Sequence, residues 1–443
     1  GSSQFGPDKR WGYFPSGAVA WIITEENFMK DYSNIVSYLK LRGSVGKTGS
    51  QNLGAYDWRT LMGSATYNGA AGIVPSSLGN DILQWEEQIQ KEVGLDYGFW
   101  DDRIRGTLGY YQKKVDNLLY SDPVPTSSSF SSVYQNIGSL KNRGIEFDVR
   151  VDIIKNVQKD LTWNVDFNIA RNRTTLEKLN SSDGYFGGGA YDYFKIEEGG
   201  ETGRFYGYKD AGRLFMTNEE LVGLKTIDPK TGTLKYYRDD YNYERQGDVY
   251  IMDLDGDGQI TADGDRTVIG NANPDFFGGF GSTLYWKGLM LNAVFSYSVG
   301  GDRFWDEEKN SSGDMNVYNT SNRILDSWTV NPGVNASYPR AMYYGWGSNS
   351  IITDRYIHDA SYLRMTALNL SYRLPKHLYK NSILNAVEFT FQATNLFTWT
   401  KYPGMDPQGN FSTTYSAFYN MGIDYSTYPS ARTYNFGIKL TLK

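Results

Sequence analysis

Two stretches decide the fold, VEFTFQAT at 387–394 and YNFGIKLTL at 434–442. In the first, Val387, Phe389, Phe391 and Ala393 alternate with Glu388, Thr390, Gln392 and Thr394. In the second, Tyr434, Phe436, Ile438, Leu440 and Leu442 alternate with Asn435, Gly437, Lys439 and Thr441. Alternate residues of a strand point to opposite faces, so one face is apolar and the other wet. The pattern recurs upstream. Ile145, Phe147, Val149, Val151 and Ile153 alternate with Glu146, Asp148, Arg150 and Asp152, and Leu161, Trp163, Val165, Phe167 and Ile169 with Thr162, Asn164, Asp166 and Asn168. Segments of about 10 to 13 residues are what a tilted strand needs to cross a bilayer.

A soluble antiparallel sandwich also buries one face of alternating strands. Two features favour a transmembrane barrel. The strands exceed the usual five or six residues, and aromatic residues sit near their ends, at Trp21, Trp100, Trp163, Tyr297, Tyr372 and Trp399, where interfacial girdles lie. Val387, Phe389 and Phe391 are expected to face lipid, and Glu388, Thr390 and Gln392 the lumen.

Composition agrees with an all-β chain: 443 residues hold 48 Gly, 36 Tyr, 22 Phe and 11 Trp, the mixture large antiparallel architectures use. A mean hydropathy of -0.52, with no apolar run of about 18 residues, excludes a membrane-crossing helix. It leaves a barrel open, because lipid-facing and lumen-facing residues average out. With 44 basic and 50 acidic residues, nothing marks a nucleic-acid footprint. The absence of Cys excludes disulfides and cysteine-ligated metals. The opening GSSQFGPDKRWGYF is no signal peptide, so the expectation is that one was removed or that the chain begins partway along a protein.

Strands are expected near 13–23, 36–47, 90–100, 103–117, 142–154, 161–173, 275–286, 288–299, 361–374, 386–399 and 432–442. Connections alternate between short (24–35, 101–102, 155–160, Lys287, 375–385) and long (48–89, 118–141, 174–274, 300–360, 400–431). Outer-membrane barrels keep short turns in the periplasm and long loops outside, which orients the sheet. About eleven strands alone leave two edges unpaired, which lipid does not tolerate. The expected whole is a barrel of roughly 22 strands, this chain being its C-terminal part, with a plug and the N-terminal strands upstream.

Within loop 174–274, Asp253, Asp255 and Asp257 with Gly258 and the Gln259 carbonyl have the spacing of a calcium loop, where a hard cation takes oxygens at positions 1, 3, 5 and 7. Position 12, which should close the shell, is Gly264, flanked by Asp263 and Asp265. Structural Ca²⁺ held by these residues, or an acidic turn without metal, both fit. The loops also carry Tyr185, Phe186, Tyr191, Tyr193, Trp305, Tyr343, Tyr344 and Trp346, aromatic faces suited to sugar rings or peptide side chains. Tyr191, Trp305, Tyr343, Tyr344 and Trp346 are the candidate substrate contacts; loop packing or partner contact explains them equally. His358 and His377 lack a nucleophile and base arrangement, and Glu307-Glu308 and Glu197-Glu198 read as solvated loop charges. No catalytic residue and no catalytic cofactor is expected.

Eight blocks carry a resemblance over nearly the whole chain: RWGYFPSGAVAWIITEENFM (10–29), LKLRGSVGKTGSQN (39–52), QWEEQIQKEVGLDYGFWDDRIRGTLGYYQKKVDNLL (84–119), NIGSLKNRGIEFDV (136–149), GDVYIMDLDGDGQIT (247–261), IGNANPDFFGGFGSTLYWKGLMLNAVFSYSVGGD (269–302), ATNLFTWTKYPGMDP (393–407) and YPSARTYNFGIKLTL (428–442). In this order they resemble the SusC/RagA group of TonB-dependent outer-membrane transporters. The resemblance implies a 22-stranded barrel with an N-terminal plug, energised by TonB, capped by a SusD-like surface lipoprotein and importing an oligosaccharide or peptide. The chain departs from the group in ending Leu442-Lys443 and not on an aromatic residue. A siderophore-type receptor, a passive porin and a non-transporting surface glycan-binding protein are the competing readings.

Overall fold

The computed structural model describes residues 1–442 except 157, 180–184, 188–192, 218–219, 221–225, 228–233, 236–244, 314–319, 334–335, 342–348, 350, 381–382, 410–420 and 426. Eleven strands form one sheet in chain order: β1 (Ser16–Ile22), β2 (Val36–Ser50), β3 (Glu86–Phe99), β4 (Ile104–Asp116), β5 (Ser139–Asn156), β6 (Leu161–Lys178), β7 (Phe276–Trp286), β8 (Leu289–Val299), β9 (Tyr362–Arg373), β10 (Leu384–Thr400) and β11 (Thr433–Leu442). Each pairs antiparallel with its sequence neighbour. The expected strands are all present, with β2, β3, β5 and β6 longer than expected at their extracellular ends. Among the described residues no helix is long and apolar enough to cross a membrane.

Register joins the alternating faces into a continuous band. Trp21 lies opposite Leu41, Leu41 opposite Leu95, Leu95 opposite Leu108 and Leu108 opposite Phe147. The band continues through Phe167, Phe280 and Phe295, and through Leu291, Leu370, Phe391 and Phe436. Its side chains are exposed, among them Leu108, Ile145, Phe389 and Ile438. In water this continuous apolar surface would drive association; in lipid it is the outer wall. The opposite face is polar: Lys40 and Arg42 reach Asp96 at 3.7 and 3.2 Å, Asn369 donates to Asn292 at 2.9 Å, and Asn292 to Thr283 at 2.9 Å.

Val387 needs a correction. It shares the lipid face with Phe389 and Phe391 by register, yet it is 7% exposed against 42% for Phe389. Leu374 donates to its carbonyl, and the turn Lys376–Tyr379 closes over this end of β10, so Val387 lies under the periplasmic rim and not at mid-bilayer.

The short connections are tight. β7 and β8 meet through Lys287 and Gly288, both with positive φ (48° and 83°), the two-residue turn whose twist matches a hairpin. The long connections all fall at the opposite end and are not loose. Ile137, Leu179, Phe194, Phe205, Phe304, Tyr356 and Ile423, from four of them, share one buried core with Leu140 of β5 and Leu176 of β6. A small sheet ties Asp302–Trp305 to Ile357–Asp359 (antiparallel) and to Ile423–Asp424 (parallel). The extracellular loops are therefore a cap with its own interior.

Candidate functional site

Two regions of the cap gather chemistry. The first is the small sheet. Trp305, at the end of its central strand, lies 5.9 Å from the His358 ring and 6.2 Å from the Tyr402 ring, and the Arg323 guanidinium stands 4.5 Å over the Trp305 ring, a cation-π distance. Glu308 holds this group together. One carboxylate oxygen meets His358 Nε2 at 2.5 Å; the other accepts from Arg323 at 2.8 Å and from the Tyr338 hydroxyl at 3.2 Å. Beside it, Tyr402 donates to Asp424 at 2.8 Å. Burial, reinforced by Asp424, pushes the Tyr402 hydroxyl far up, so it stays protonated and keeps the proton it donates to Asp424. Burial pushes the Arg303 guanidinium down, with Tyr402, Tyr362 and Asp424 working against it. The Tyr338 hydroxyl is raised by burial and by Glu308.

Glu308 corrects the sequence reading. It is 5% exposed, not a solvated loop charge, because three hydrogen-bonding partners from elsewhere in the 300–361 loop converge on it. Glu197 and Glu198 are exposed as expected. The carboxylates, imidazole and aromatic rings at 305–308, 323, 338, 358, 402 and 424 have no common spacing, and no sequence signal collects them. Of the candidate substrate contacts, Trp305 belongs to this group; Tyr191, Tyr343, Tyr344 and Trp346 lie outside the described residues. Phe186 and Tyr185 form part of a short strand, Tyr185–Gly187, and Tyr193 is buried, donating to Asp306 at 2.7 Å.

The second region is the acidic loop. It leaves the strand Val249–Ile251, which pairs with Asp210–Leu214 over a core of Leu214, Phe215, Val249, Ile251 and Ile260. Ile260, 1% exposed, pins the middle of the loop to that core. Carboxylate oxygens of Asp253, Asp255 and Asp265 lie within 4.8 Å of one another; Asp257 and Asp263 are not in this group. Asp265 fills the place left open at position 12. Thr261 caps the short turn Ala262–Asp265, accepting from Gly264 N, and this turn carries Asp265 inward to 0% exposure. Its two oxygens accept from Leu254 N and Thr261 N, each at 2.7 Å. Gly264 has a separate reason to be Gly: a Cβ there would come within 2.3 Å of Asp255 Oδ2. Asp253 accepts from Gly256 N at 2.7 Å and Gly258 N at 2.8 Å, turns made by positive φ at both glycines. The Gln259 N–H donates to Asp257 at 2.8 Å.

A third anchor lies where the cap meets the wall. Arg364 of β9 reaches Asp406 at 2.6 Å, Gln408 at 2.6 Å and Thr398 at 3.0 Å. Burial opposes ionisation of Asp406, but the Gln408 and Ser430 backbone N–H groups and the Arg364 guanidinium hold its carboxyl below the usual range.

Comparison with known proteins places this architecture. The TonB dependent receptor-like, beta-barrel family matches residues 1–340. The chain is 33% identical over 462 residues to TonB-dependent receptor P3 of Formosa agariphila, covering 99% of this chain and 43% of that protein. It is 31% identical over 456 residues to TonB-dependent receptor SusC of Bacteroides thetaiotaomicron, covering 99% of this chain and 41% of SusC. A solved structure of the RagAB peptide transporter superposes with a TM-score of 0.76 at 26% identity, over 99% of this chain and 44% of that one. The chain thus spans less than half the length of the relatives it matches.

Proposed function

Starting from the fact that this chain belongs to the TonB-dependent receptor-like β-barrel family of the outer membrane, in its SusC/RagA branch, we propose that it forms one half of the wall and the extracellular cap of an active importer. The cargo is a peptide or an oligosaccharide, and likeness to the RagAB peptide transporter supports the peptide. The observation that carries the reading is the cap itself. Four loops share one core and hold an aromatic and charged group at Trp305, Arg323, His358 and Tyr402, above a polar-faced wall. A mere channel does not require ordered loops of this size, which are usually functional. Trp305, with Tyr191, Tyr343, Tyr344 and Trp346, is assigned to substrate contact. A SusD-like surface lipoprotein covers the loops at 174–274 and 300–360, and TonB drives the cycle through a plug.

Ca²⁺ is assigned to Asp253, Asp255 and Asp265 with the Gln259 carbonyl, where it would order the loop 252–265; Asp257 and Asp263, also expected as ligands from the sequence, stand outside this group. Three carboxylates this close repel unless a cation screens them, and oxygen-only donors suit a hard ion.

Uptake of labelled peptides and oligosaccharides by cells with and without the intact protein tests the transport reading. Accumulation abolished by an uncoupler supports it. Uncoupler-insensitive entry would make the barrel a porin, and binding without accumulation would make it a surface binder. Copurification from outer membranes in mild detergent tests the lipoprotein. Recovery of the barrel alone, under conditions that keep other lipoprotein complexes together, counts against it.

A further inference from the structure

The outward face carries more than an apolar band. On β5 the apolar residues from Ile145 to Ile153 are bounded on the extracellular side by Arg143; on β6 those from Leu161 to Ile169 are bounded by Arg171; on β3 Val93 is bounded by Lys91. Register sets Lys91 and Arg143 at one level and Arg171 one rung from it. Lys91 lies opposite Gln112, Gln112 opposite Arg143, and Arg171 opposite Ile145 one rung below. Neighbouring basic residues on the same face are neutralised: Lys47 by Glu87 at 2.6 Å, Lys114 and Lys141 by Glu177 at 3.5 and 3.3 Å, and Arg173 by Asp275 at 2.9 Å. Lys91, Arg143 and Arg171 are exposed and have no carboxylate partner among the described residues. On β7 and β8 the corresponding level carries Phe276 opposite Val299. The belt is therefore one-sided, on the wall of β3 to β6.

A second feature lies directly beneath it. Gly17 and Gly43 leave the wall recessed between Val19, Val45, Val93 and Tyr110, and the resulting groove measures about 690 Å³, with Lys91 and Gln112 lining its extracellular end. On the interior strand β2, a Cβ at Gly43 would meet only Glu92 O at 3.8 Å and Val19 Cγ2 at 4.0 Å, so backbone crowding does not explain that glycine. An apolar trough in the membrane wall, opening upward onto Lys91 at one end of the cationic row, fits an acyl chain below and an anionic headgroup above. The cations, on β3, β5 and β6, span three inter-strand spacings, about 14 Å, which is the scale of a phosphorylated disaccharide and not of a single glycerophosphate. The long loops mark this rim as the outer leaflet, whose characteristic lipid in such membranes is a phosphorylated saccharolipid.

We propose that Lys91, Arg143 and Arg171 bind the phosphorylated sugar headgroup of an outer-leaflet saccharolipid, with one acyl chain seated in the groove at Gly17 and Gly43. The site lies outside the lumen and the cap, so its occupancy is independent of what the barrel transports.

The test uses the intact protein, delipidated in detergent, with bound lipid read by native mass spectrometry. Monophosphoryl lipid A, its dephosphorylated form and phosphatidylglycerol are added separately. The expected result is preferential retention of monophosphoryl lipid A. Combined Lys91→Gln, Arg143→Gln and Arg171→Gln should lower its occupancy by more than about tenfold, each cation near a charged lipid surface contributing severalfold. Gly43→Leu, which fills the groove without changing charge, should lower retention as well. Heat-modifiable gel mobility of both variants verifies that the barrel has formed. Equal retention of the dephosphorylated lipid or of phosphatidylglycerol overturns the proposal. So does displacement by inorganic phosphate at matched concentration, or a folded triple variant that binds as the parent does.

Discussion

Replacing Asp406 by Ala tests whether the 401–432 loop is fastened to the barrel wall by a buried ion pair. Arg364 and Asp406 are 4 and 5% exposed. The carboxylate also accepts from Gln408 N at 2.9 Å and Ser430 N at 3.2 Å. Without it Arg364 keeps Gln408 and Thr398 but is left a buried cation with no anion, a change that costs about 3 to 5 kcal/mol. Neighbouring barrel strands keep their ladders, so the cost falls on local opening of the loop and not on the sheet. At 1.4 kcal/mol per factor of ten, opening should rise roughly a hundredfold to a few thousandfold. Hydrogen exchange of the intact protein in lipid, followed by mass spectrometry, should show this in peptides from 401–409 and 421–432, with peptides from β10 unchanged. The double replacement Arg364→Met with Asp406→Leu should recover a large part of the protection, because no charge is then stranded. The pH dependence has a definite sign. A carboxyl whose folded value is depressed contributes stability that is fully present above its unfolded value, near 4, and is lost as pH falls through the depressed value. The loop should therefore stay fastened at neutral and mildly acidic pH and loosen only below the ordinary carboxylate range. Unchanged exchange in Asp406→Ala, or loosening that begins at pH 6, refutes the assignment.

Other substitutions probe separate parts of the molecule. Phe391→Arg, between Leu370 and Phe436 in the middle of the apolar band, should cost about 2 to 4 kcal/mol in a lipid refolding titration, and Phe389→Arg, level with Tyr372 near the periplasmic rim, about 1 kcal/mol or less; a neutral result at Phe391 would misplace the band. Gly264→Ala should displace Asp255, since the added Cβ lies 2.3 Å from its carboxylate, and terbium luminescence should report at least about tenfold weaker binding, one lost ligand at a hard-ion site. Chelation of calcium by EGTA should expose residues 249–265 to proteolysis, and an equally resistant loop with and without chelator would dismiss the metal. Glu308→Ala removes the shared partner of His358, Arg323 and Tyr338 and should cost about 1 to 3 kcal/mol of cap stability, the stranded Arg323 being partly solvated; thermal proteolysis that starts elsewhere than 300–361 would contradict the placement.

The division between what the sequence discloses and what it hides follows from the range of the forces involved. Alternation is a local property, and β5, with Ile145 to Ile153 unbroken, reads directly as a wall strand. β9 does not, because its phase resets. Register shifts between Met365 and Ala367, so that Leu363 and Met365 and then Leu368, Leu370 and Tyr372 occupy the outer face; a bulge adds one residue and flips the parity beyond it. The same reset turns Arg364 inward, where it can hold Asp406, and nothing in its neighbours' spacing announces that role. The acidic loop stands between these cases. Its carboxylates and glycines are legible at fixed offsets, yet the third carboxylate of the cluster is Asp265, brought in by a turn that Thr261 caps, and the offset rule points one residue too early. The cap is the least legible part, since Glu308, Arg323, Tyr338 and His358 meet through irregular backbone that has no period. Such segments keep their shape through long-range burial and satisfied charges, as Phe205 and Phe304 at 0% exposure and the Glu308 carboxylate illustrate. The shape of this cap is therefore encoded in contacts between loops, and a single exchange at 305 or 358 should disturb it less than a change at Glu308, which holds His358 and, through Arg323, the face of Trp305.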